Sequence, residues 1–242
     1  MLSQALVRQG EFLFRWRGYL PLLLAPLVIY GFKDFQYYRE SHFYDRLLEV
    51  VCFAVALTGL AIRFLVMGYA PAGTMGRNPE QARVLKTAGM YSLCRNPLYL
   101  GNFFIGLGIF LFLESALILL VYVLSFWLYY ERIILGEETF LLRKFGGEYA
   151  RWAERTSLII PRFAKWRKPD EPFCWRRAVR REYRRFFAII SLMTLFEIAG
   201  DFVITGQLEF DWVWRVIFGL GLGAYLAVRF LKHRTALLQV DR

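Results

Sequence analysis

Long runs of apolar residues alternate along the chain with shorter polar and basic segments. Several runs approach the roughly 20 residues needed to cross a hydrocarbon core of about 30 Å, and none has the period of a half-buried strand. The run Leu98–Tyr130 is too long for one crossing, so we expect a tight helical hairpin that turns at Glu114-Ser115. The pattern then predicts six spans: Tyr19–Phe32, Leu47–Tyr69, Leu98–Leu113, Ser115–Tyr130, Phe186–Thr205 and Trp212–Phe230.

Composition strengthens this interpretation. Hydrophobic residues make up 57% of the 242 residues and aromatic residues 18%, which is more apolar than an ordinary soluble enzyme. The expected fold is therefore all-α, a polytopic integral membrane protein. Three well-separated cysteines and two histidines predict neither a disulfide framework nor a metal site, and they leave little room for chemistry based on imidazole.

The basic residues fall mainly on one side of the predicted spans. About half of the 31 Lys and Arg residues lie between Glu131 and Arg185, and this loop shares a side with both termini. By the positive-inside rule that side is cytoplasmic, whereas the sequence contains no motif of a nucleic-acid-binding protein. Arg63, near one end of the second span, is expected to extend its guanidinium group to the membrane interface.

A first polar motif lies where a basic loop enters the third span. Asn96 suits the N-cap of a helix and Pro97 its first turn, so the segment can simply start a helix. The free N–H groups of such a helix start can also bind a carboxylate or a phosphate, and Gly101 allows another group to approach the backbone closely. The motif comprises Gly89, Tyr91, Arg95, Asn96, Pro97, Tyr99 and Gly101.

A second motif follows the hairpin. Apolar residues between Ile134 and Trp152 predict an amphipathic helical segment at the cytoplasmic surface, broken at Gly146-Gly147. The adjacent Glu137 and Glu138 come directly after a span, where at least one of them must face protein. A carboxylate in that position suits a cationic group of a ligand.

Taken together, the two motifs resemble those of the membrane methyltransferases that include phospholipid N-methyltransferases and isoprenylcysteine carboxyl methyltransferases. The first matches G-x-Y-x-x-x-R-[HN]-P-x-Y-x-G, and the second matches E-E-x-x-L followed by F-G-x-x-Y-x-x-W. The resemblance covers about a third of the chain, from Thr87 to Arg162. It implies S-adenosylmethionine bound at the cytoplasmic face, between the hairpin and the helix that follows it.

By this resemblance, site roles are expected for both motifs. The carboxylates of Glu137 and Glu138 are expected at the amino end of the cofactor. Asn96 stands where the family usually has His; it keeps a donor and an acceptor but cannot change charge near neutral pH, so we expect it to contact the cofactor. The expected catalytic residues are Arg95, Asn96 and Tyr99, and the expected cofactor-binding residues are Tyr91, Arg95, Asn96, Pro97, Tyr99, Gly101, Glu137 and Glu138.

The acceptor is expected to be the headgroup of a membrane lipid. Arg77, in a glycine-rich loop, is a candidate ligand for a lipid phosphate, and the chain looks closest to the bacterial branch that methylates lipid A phosphate, in the inner membrane. A phospholipid amine stays open, and prenylcysteine is disfavoured by the flanking segments. The predicted regions are N-terminal spans and loop (1–86), methyltransferase core (87–165), and basic linker with C-terminal spans (166–242).

Two other classes of protein compete with this interpretation. Sterol and related lipid reductases resemble the second motif but use a nicotinamide dinucleotide such as NADPH, whose phosphates would favour basic ligands over Glu137 and Glu138. A transporter or a non-catalytic scaffold would also explain the hydropathy and could use Glu197 and Asp201, one helical turn apart, as an ion relay. For the arginine-rich segment Arg176–Arg185, a role in topology or headgroup attraction is favoured over a substrate clamp.

Overall fold

The computed structural model describes residues 2–16, 24–32, 42–70, 84–208, 210–235 and 237–238, and the described part contains helices without strands. The helices, in chain order, are α1 Leu2–Trp16, α2 Ala25–Gly31, α3 His42–Tyr69, α4 Met90–Leu93, α5 Pro97–Leu111, α6 Ala116–Phe145, α7 Gly147–Arg155, α8 Trp175–Thr205 and α9 Trp212–Arg234, with a 3-10 turn at Phe163–Lys165. The all-α expectation is confirmed.

Four of these helices, α3, α6, α8 and α9, are long and apolar enough to cross a membrane. Large apolar side chains such as Leu120, Leu124 and Trp127 point outward from α6, as a lipid-facing surface requires. The protein is therefore an integral membrane protein. The expected six spans are not confirmed in the described residues: α2 has 7 residues, about 10 Å of helix, and residues 19–23 of the expected first span lie outside the description.

The hairpin lies where the sequence predicts it. α5 ends at Leu111 and α6 begins at Ala116, with the Ser115 side chain accepting a hydrogen bond from the Ile118 amide at 3.4 Å. α5 has 15 residues, about 22 Å of helix, and is shorter than a bilayer core. It packs along α3 and contacts α6 and α8, so protein covers much of this short helix.

Other helices extend beyond the predicted spans. α6 continues past Tyr130 through Glu137 and Glu138 to Phe145, and α8 includes the arginine-rich segment. The predicted break at Gly146 is present, with a positive φ of 54° that favours glycine. α1 was not predicted, and it packs against α6, where Gly10 lies against the Arg132 carbonyl.

Small residues set the distance between α3 and α5. A Cβ atom added to Gly108 would lie 2.4 Å from the Cys52 oxygen and 2.6 Å from the Ala56 nitrogen, and one added to Gly59 would lie 2.4 Å from the Gly101 oxygen. Such close backbone approach is typical of membrane helices that pack through small side chains. The core continues from this contact through both hairpin helices to α8 and α9, and it comprises Cys52, Ala56, Phe112, Leu113, Ile118, Ile189, Met193, Phe196 and Trp214.

A buried ion pair joins α3 to α8. Arg63 Nε and Nη2 each lie 3.0 Å from an oxygen of Glu182, and the two side chains are 4% and 2% exposed. The expectation that Arg63 reaches the interface is therefore wrong. Its guanidinium group points into the bundle because Glu182 supplies the opposite charge there, and Asn102 Oδ1 accepts a further hydrogen bond at 2.7 Å.

The other end of α3 faces a group of carboxylates, and Glu49 in that group lies about 21 Å along the helix from Arg63. Glu49 shares a hydrogen bond with Glu197 and accepts one from the Trp214 indole at 3.2 Å. α8 continues to Thr205, so Asp201 lies within the helix, and its side chain is buried. The carboxylates of Glu197 and Asp201 thus belong to helix contacts far from the two sequence motifs.

The α3–α5 contact predicts that Gly108→Ala destabilises the protein. The added methyl group overlaps backbone atoms of α3, so we expect the free energy of unfolding to fall by about 1–3 kcal/mol. Gly219→Ala, in α9 with nothing within 4 Å of the added atom, is the matched control and should be neutral or stabilising, because Ala favours helix. Thermal unfolding in detergent compares the two, and equal midpoints would contradict the close contact.

The buried ion pair predicts strong coupling between Arg63 and Glu182. Glu182→Met should lower the free energy of unfolding by about 3–5 kcal/mol, because it leaves the buried charge of Arg63 without its partner. Arg63→Met should lower it by less, because Glu182 keeps the half-exposed Arg185, whose Nη1 lies 3.4 Å from Glu182 Oε1. The double variant should lose clearly less than the sum of the two losses. Denaturant titration in micelles measures the cycle, and additive losses would show that the two charges are not paired.

Candidate functional site

The first motif forms a short helix, a turn and the start of α5. Pro97 occupies the first turn of α5, and the Asn96 carbonyl accepts from the amides of Tyr99 and Leu100, both at 3.1 Å. The Asn96 side chain does not cap the helix as expected. Its Nδ2 donates instead to the Leu158 carbonyl at 3.2 Å, in the segment that follows α7.

That segment holds the motif in place from the other side. The Arg95 amide donates to the Ser157 carbonyl at 2.8 Å, and the Arg162 amide donates to the Leu93 carbonyl at 3.1 Å. Ser157 Oγ also donates to Leu93 at 3.1 Å. The first motif is therefore joined by hydrogen bonds to the segment that follows the second motif, about 60 residues further along the chain.

A second clamp lies at Ser92, which is buried. Its hydroxyl donates to the Gly89 carbonyl at 2.6 Å and accepts from the Arg167 amide at 2.9 Å. The Gly89 amide donates to the Arg167 carbonyl at 3.0 Å. Gly89 has a φ of 61°, a conformation that L side chains rarely adopt, which accounts for glycine at this position of the motif.

An ion pair connects the two motifs directly. Arg95 Nη1 lies 3.0 Å from Glu138 Oε1, with the side chains 20% and 25% exposed. The Tyr149 hydroxyl is within hydrogen-bonding reach of both groups, and Tyr149 itself is 4% exposed. Burial raises the pKa of Tyr149 and the Glu138 charge raises it further, so this hydroxyl stays protonated at neutral pH.

Two buried polar atoms around this ion pair make no hydrogen bond within the protein. They are Arg95 Nε and the indole Nε1 of Trp152, whose ring lies 5.6 Å from that of Tyr149. Buried donors and acceptors without partners are costly and are rare in folded proteins. The cluster of Arg95, Glu138, Tyr149 and Trp152 thus offers both charges and an aromatic wall to a small polar ligand, and we call it the Arg95–Glu138 site.

Tyr91 and Glu137 interact electrostatically. Burial raises the pKa of Tyr91, and the Glu137 charge raises it further. The Lys86 ammonium lies 6.0 Å from the centre of the Tyr91 ring. The charge of Glu137 therefore acts on Tyr91, although 46 positions separate these two expected cofactor residues in the sequence.

Tyr99 contacts a different partner, since its ring packs 4.5 Å from that of Tyr130 on α6. The Tyr130 hydroxyl accepts from Asn102 Nδ2 at 2.8 Å, and Asn102 Oδ1 accepts from Arg63. A polar network therefore runs from the buried ion pair in the bundle to the ring beneath Tyr99.

Gly101 has a packing role in the structure. A Cβ atom there would lie 2.5 Å from Arg63 Cγ and 2.8 Å from the Gly59 oxygen, so the group that approaches it is α3. Buried Pro97 starts the same helix. Arg77, the expected phosphate ligand, lies outside the described residues.

Sequence reasoning missed the participation of Tyr149 and Trp152 in the site. Both belong to the motif F-G-x-x-Y-x-x-W, so the signal was present, but their spacing on α7 had been attributed to an amphipathic surface. The described residues contain no cluster of His, Cys, Asp or Glu that could hold a metal ion.

Residues 50–148 match the family described as phospholipid methyltransferase. This match confirms the resemblance to membrane methyltransferases that the two motifs indicate. The match includes the first motif and both Glu137 and Glu138. No solved structure matches the chain.

Several curated proteins are also similar to the chain. The cobalt-zinc-cadmium resistance protein CzcN of Cupriavidus metallidurans is 41% identical over 34% of this chain and 38% of its own length. The nickel-cobalt-cadmium resistance protein NccN of Alcaligenes xylosoxydans xylosoxydans is 29% identical over 63% of this chain and 65% of its length. Protein-S-isoprenylcysteine O-methyltransferase of Saccharomyces cerevisiae is 28% identical over 59% of each chain. The chain thus spans less than two thirds of the length of each of these relatives.

The Ser92 clamp predicts that Ser92→Ala loosens the basic segment after α7. Two hydrogen bonds of about 1 kcal/mol each are lost, so local opening should become roughly 5- to 30-fold more frequent. Trypsin should then cleave faster after Arg162, Lys165 and Arg167, as measured by mass spectrometry of the fragments. Ser191→Ala is the control because the Ser191 hydroxyl has no partner. Equal cleavage of the two variants would argue against the clamp.

Proposed function

Because residues 50–148 match the phospholipid methyltransferase family, we propose that the protein is an S-adenosylmethionine-dependent methyltransferase of membrane lipid headgroups. The observation that carries the proposal is the Arg95–Glu138 site. It combines opposite charges, buried polar atoms without partners and two aromatic side chains at the junction of the two motifs.

The donor set of this site fits the methionyl end of the cofactor, which carries one ammonium and one carboxylate group. A carboxylate can accept from the free Nε of Arg95, and an ammonium can donate to the carboxylate of Glu138, with Glu137 adding negative charge. Two further ligands are proposed from the first motif, the neighbouring ring of Tyr91 and the backbone at Asn96. Tyr99 is proposed to face the acceptor from its position against Tyr130.

When bound, the cofactor supplies a methyl group on a reactive sulfonium, which passes to a nucleophilic oxygen or nitrogen of the lipid. The protein then has to orient donor and acceptor and to exclude water. Arg95 and Glu138 hold one end of the ligand, and Trp152 and Tyr149 form a wall. The hydrogen bonds that join Arg95 and Asn96 to the segment after α7 keep these groups in register.

The character of the site favours an anionic oxygen as acceptor. A phosphate or carboxylate oxygen carries its charge near neutral pH, whereas an ammonium group must lose a proton before it can accept a methyl group. Asn96 cannot remove that proton, and Tyr149 is held protonated. A lipid phosphate, such as that of lipid A, is therefore the proposed acceptor, and a phospholipid amine is the alternative.

The proposed location is the cytoplasmic face of a bacterial inner membrane. The arginine-rich start of α8 and the basic segment after α7 lie at the same end of the bundle as the Arg95–Glu138 site, because Gly68 at the end of α3 accepts from the Cys174 amide at 2.9 Å. By the positive-inside rule this end, with both termini, is cytoplasmic.

Calorimetric titration of the detergent-purified protein with S-adenosylhomocysteine tests the proposal. We expect binding, and we expect Glu138→Gln to weaken it by about tenfold or more, because a hydrogen bond to a charged group contributes about 1.5–3 kcal/mol. Glu148→Gln, an exposed carboxylate on α7, is the matched control and should bind as the unaltered protein does.

The outcomes separate the competing classes. Full affinity in Glu138→Gln would remove that residue from the site. Binding of NADPH alone would indicate a reductase, and binding of neither ligand would favour a scaffold or transporter. If S-adenosylhomocysteine binds, transfer of a labelled methyl group to lipid extracts identifies the acceptor class, with a prenylcysteine substrate as a parallel arm.

A further inference from the structure

The arginines at the start of α8 separate into two faces. Arg180 donates to the Leu238 carbonyl, Arg184 donates to the Tyr183 hydroxyl, and Arg176 lies over the Trp175 ring. Arg177 and Arg181, one turn apart, instead lie near Lys86 in the loop before α4. The arginine-rich segment is thus not uniform, and the charges on one of its faces act on a lysine from a distant part of the chain.

This second face has an excess of positive charge. Nε and Nη1 of Arg177 are buried and make no hydrogen bond, and no carboxylate in the described part of the chain lies within 4 Å of Arg177 or Lys86. Burial, together with the charges of Arg177 and Arg181, lowers the pKa of Lys86 to about 8. Desolvated cations without a counter-charge are unfavourable, so the arrangement needs an anion.

The geometry of the donors selects the kind of anion. A guanidinium group presents several N–H groups in a planar fork that matches phosphate oxygens, and a lysine ammonium adds a point charge. Topology alone would require only that basic residues lie on one side of the membrane, whether or not their donors are buried. The buried donors of Arg177 therefore point to a specific ligand rather than to general attraction by headgroups.

The cluster also adjoins the Arg95–Glu138 site. Lys86 lies over the ring of Tyr91, on which the charge of Glu137 acts. The first turns of α8 are tied to the end of α3 through the hydrogen bond from Cys174 to Gly68. An anion bound between Lys86 and α8 would thus lie at the membrane-boundary end of the bundle, next to the candidate site.

We propose that Lys86, Arg177 and Arg181 form a binding site for the phosphate group of an anionic membrane lipid. Its role in holding the methyl acceptor rests on the proposed methyltransferase function, whereas the binding itself does not. The site recognises the phosphate group, so free phosphate is the other possible source of the ligand, and the test distinguishes the two.

The test measures binding of short-chain phosphatidic acid and of inorganic phosphate to the full-length protein in a non-ionic detergent. We expect phosphatidic acid to bind, and Arg177→Gln/Arg181→Gln to weaken it at least about tenfold. The matched control is Arg176→Gln/Arg180→Gln, which removes the same charge at the same spacing from the other face and should change affinity less than about threefold. Lys86→Gln, outside α8, provides a second variant if the arginine variant fails to fold.

Each outcome has a distinct meaning. Equal weakening by both arginine pairs would show general electrostatic attraction and overturn the proposal, as would full affinity in both Arg177→Gln/Arg181→Gln and Lys86→Gln, or binding of neither probe. Tighter binding of phosphatidic acid than of phosphate supports a lipid ligand, and equal binding supports a site for free phosphate. Binding of S-adenosylhomocysteine, measured in the same samples, tests the proposed function separately, because Arg177 and Arg181 are not part of the Arg95–Glu138 site.

Discussion

The ion pair between Arg63 and Glu182 is the interaction on which the rest of the structure depends. Two charges buried between the helices of a bundle are tolerated only when each has its partner and its remaining hydrogen bonds. Glu182 accepts two bonds from Arg63, and Asn102 accepts a third. This requirement fixes α3, α5 and α8 in one register, because a shift of any of them by one turn would leave a buried charge unpaired.

The same network connects the core to the candidate site. Asn102 accepts a hydrogen bond from Arg63 and donates one to the Tyr130 hydroxyl, and the Tyr130 ring packs against that of Tyr99. The residues of the first motif that precede α5 are held by backbone hydrogen bonds to the segment after α7 rather than by helix packing. The Arg95–Glu138 site therefore lies between the helix bundle and a hydrogen-bonded loop, an arrangement that fixes its charged groups in place.

The sequence was informative wherever a local pattern determined the structure. The hairpin turn at Glu114-Ser115 follows from the limited length of a membrane-spanning helix. The break at Gly146 follows from the positive φ that glycine tolerates, and both constraints are local. The partner of Arg63 could not be predicted, because Glu182 lies 119 residues away within a basic segment that the charge count assigned to the surface. Asn is a common N-cap residue, but the side chain of Asn96 donates instead to the carbonyl of Leu158, 62 residues away. In the candidate site the residue types were apparent, whereas the pairing of Arg95 with Glu138 and the contribution of Tyr149 depend on how the two motifs are folded against each other.

The division of charge between the two polar clusters bears on how such a site selects its ligands. In the Arg95–Glu138 site positive and negative groups balance, which suits a zwitterion and disfavours a ligand rich in phosphate. Around Lys86 and Arg177 no carboxylate of the described residues forms an ion pair, which suits a phosphate and repels a sulfonium or an ammonium group. Two ligands of opposite character would thus be sorted into neighbouring sites by electrostatics alone, without a residue that changes its protonation state. A protein with two histidines in 242 residues can position a cationic donor beside an anionic acceptor in this way, since orientation and charge do the work that acid and base groups perform in many other enzymes.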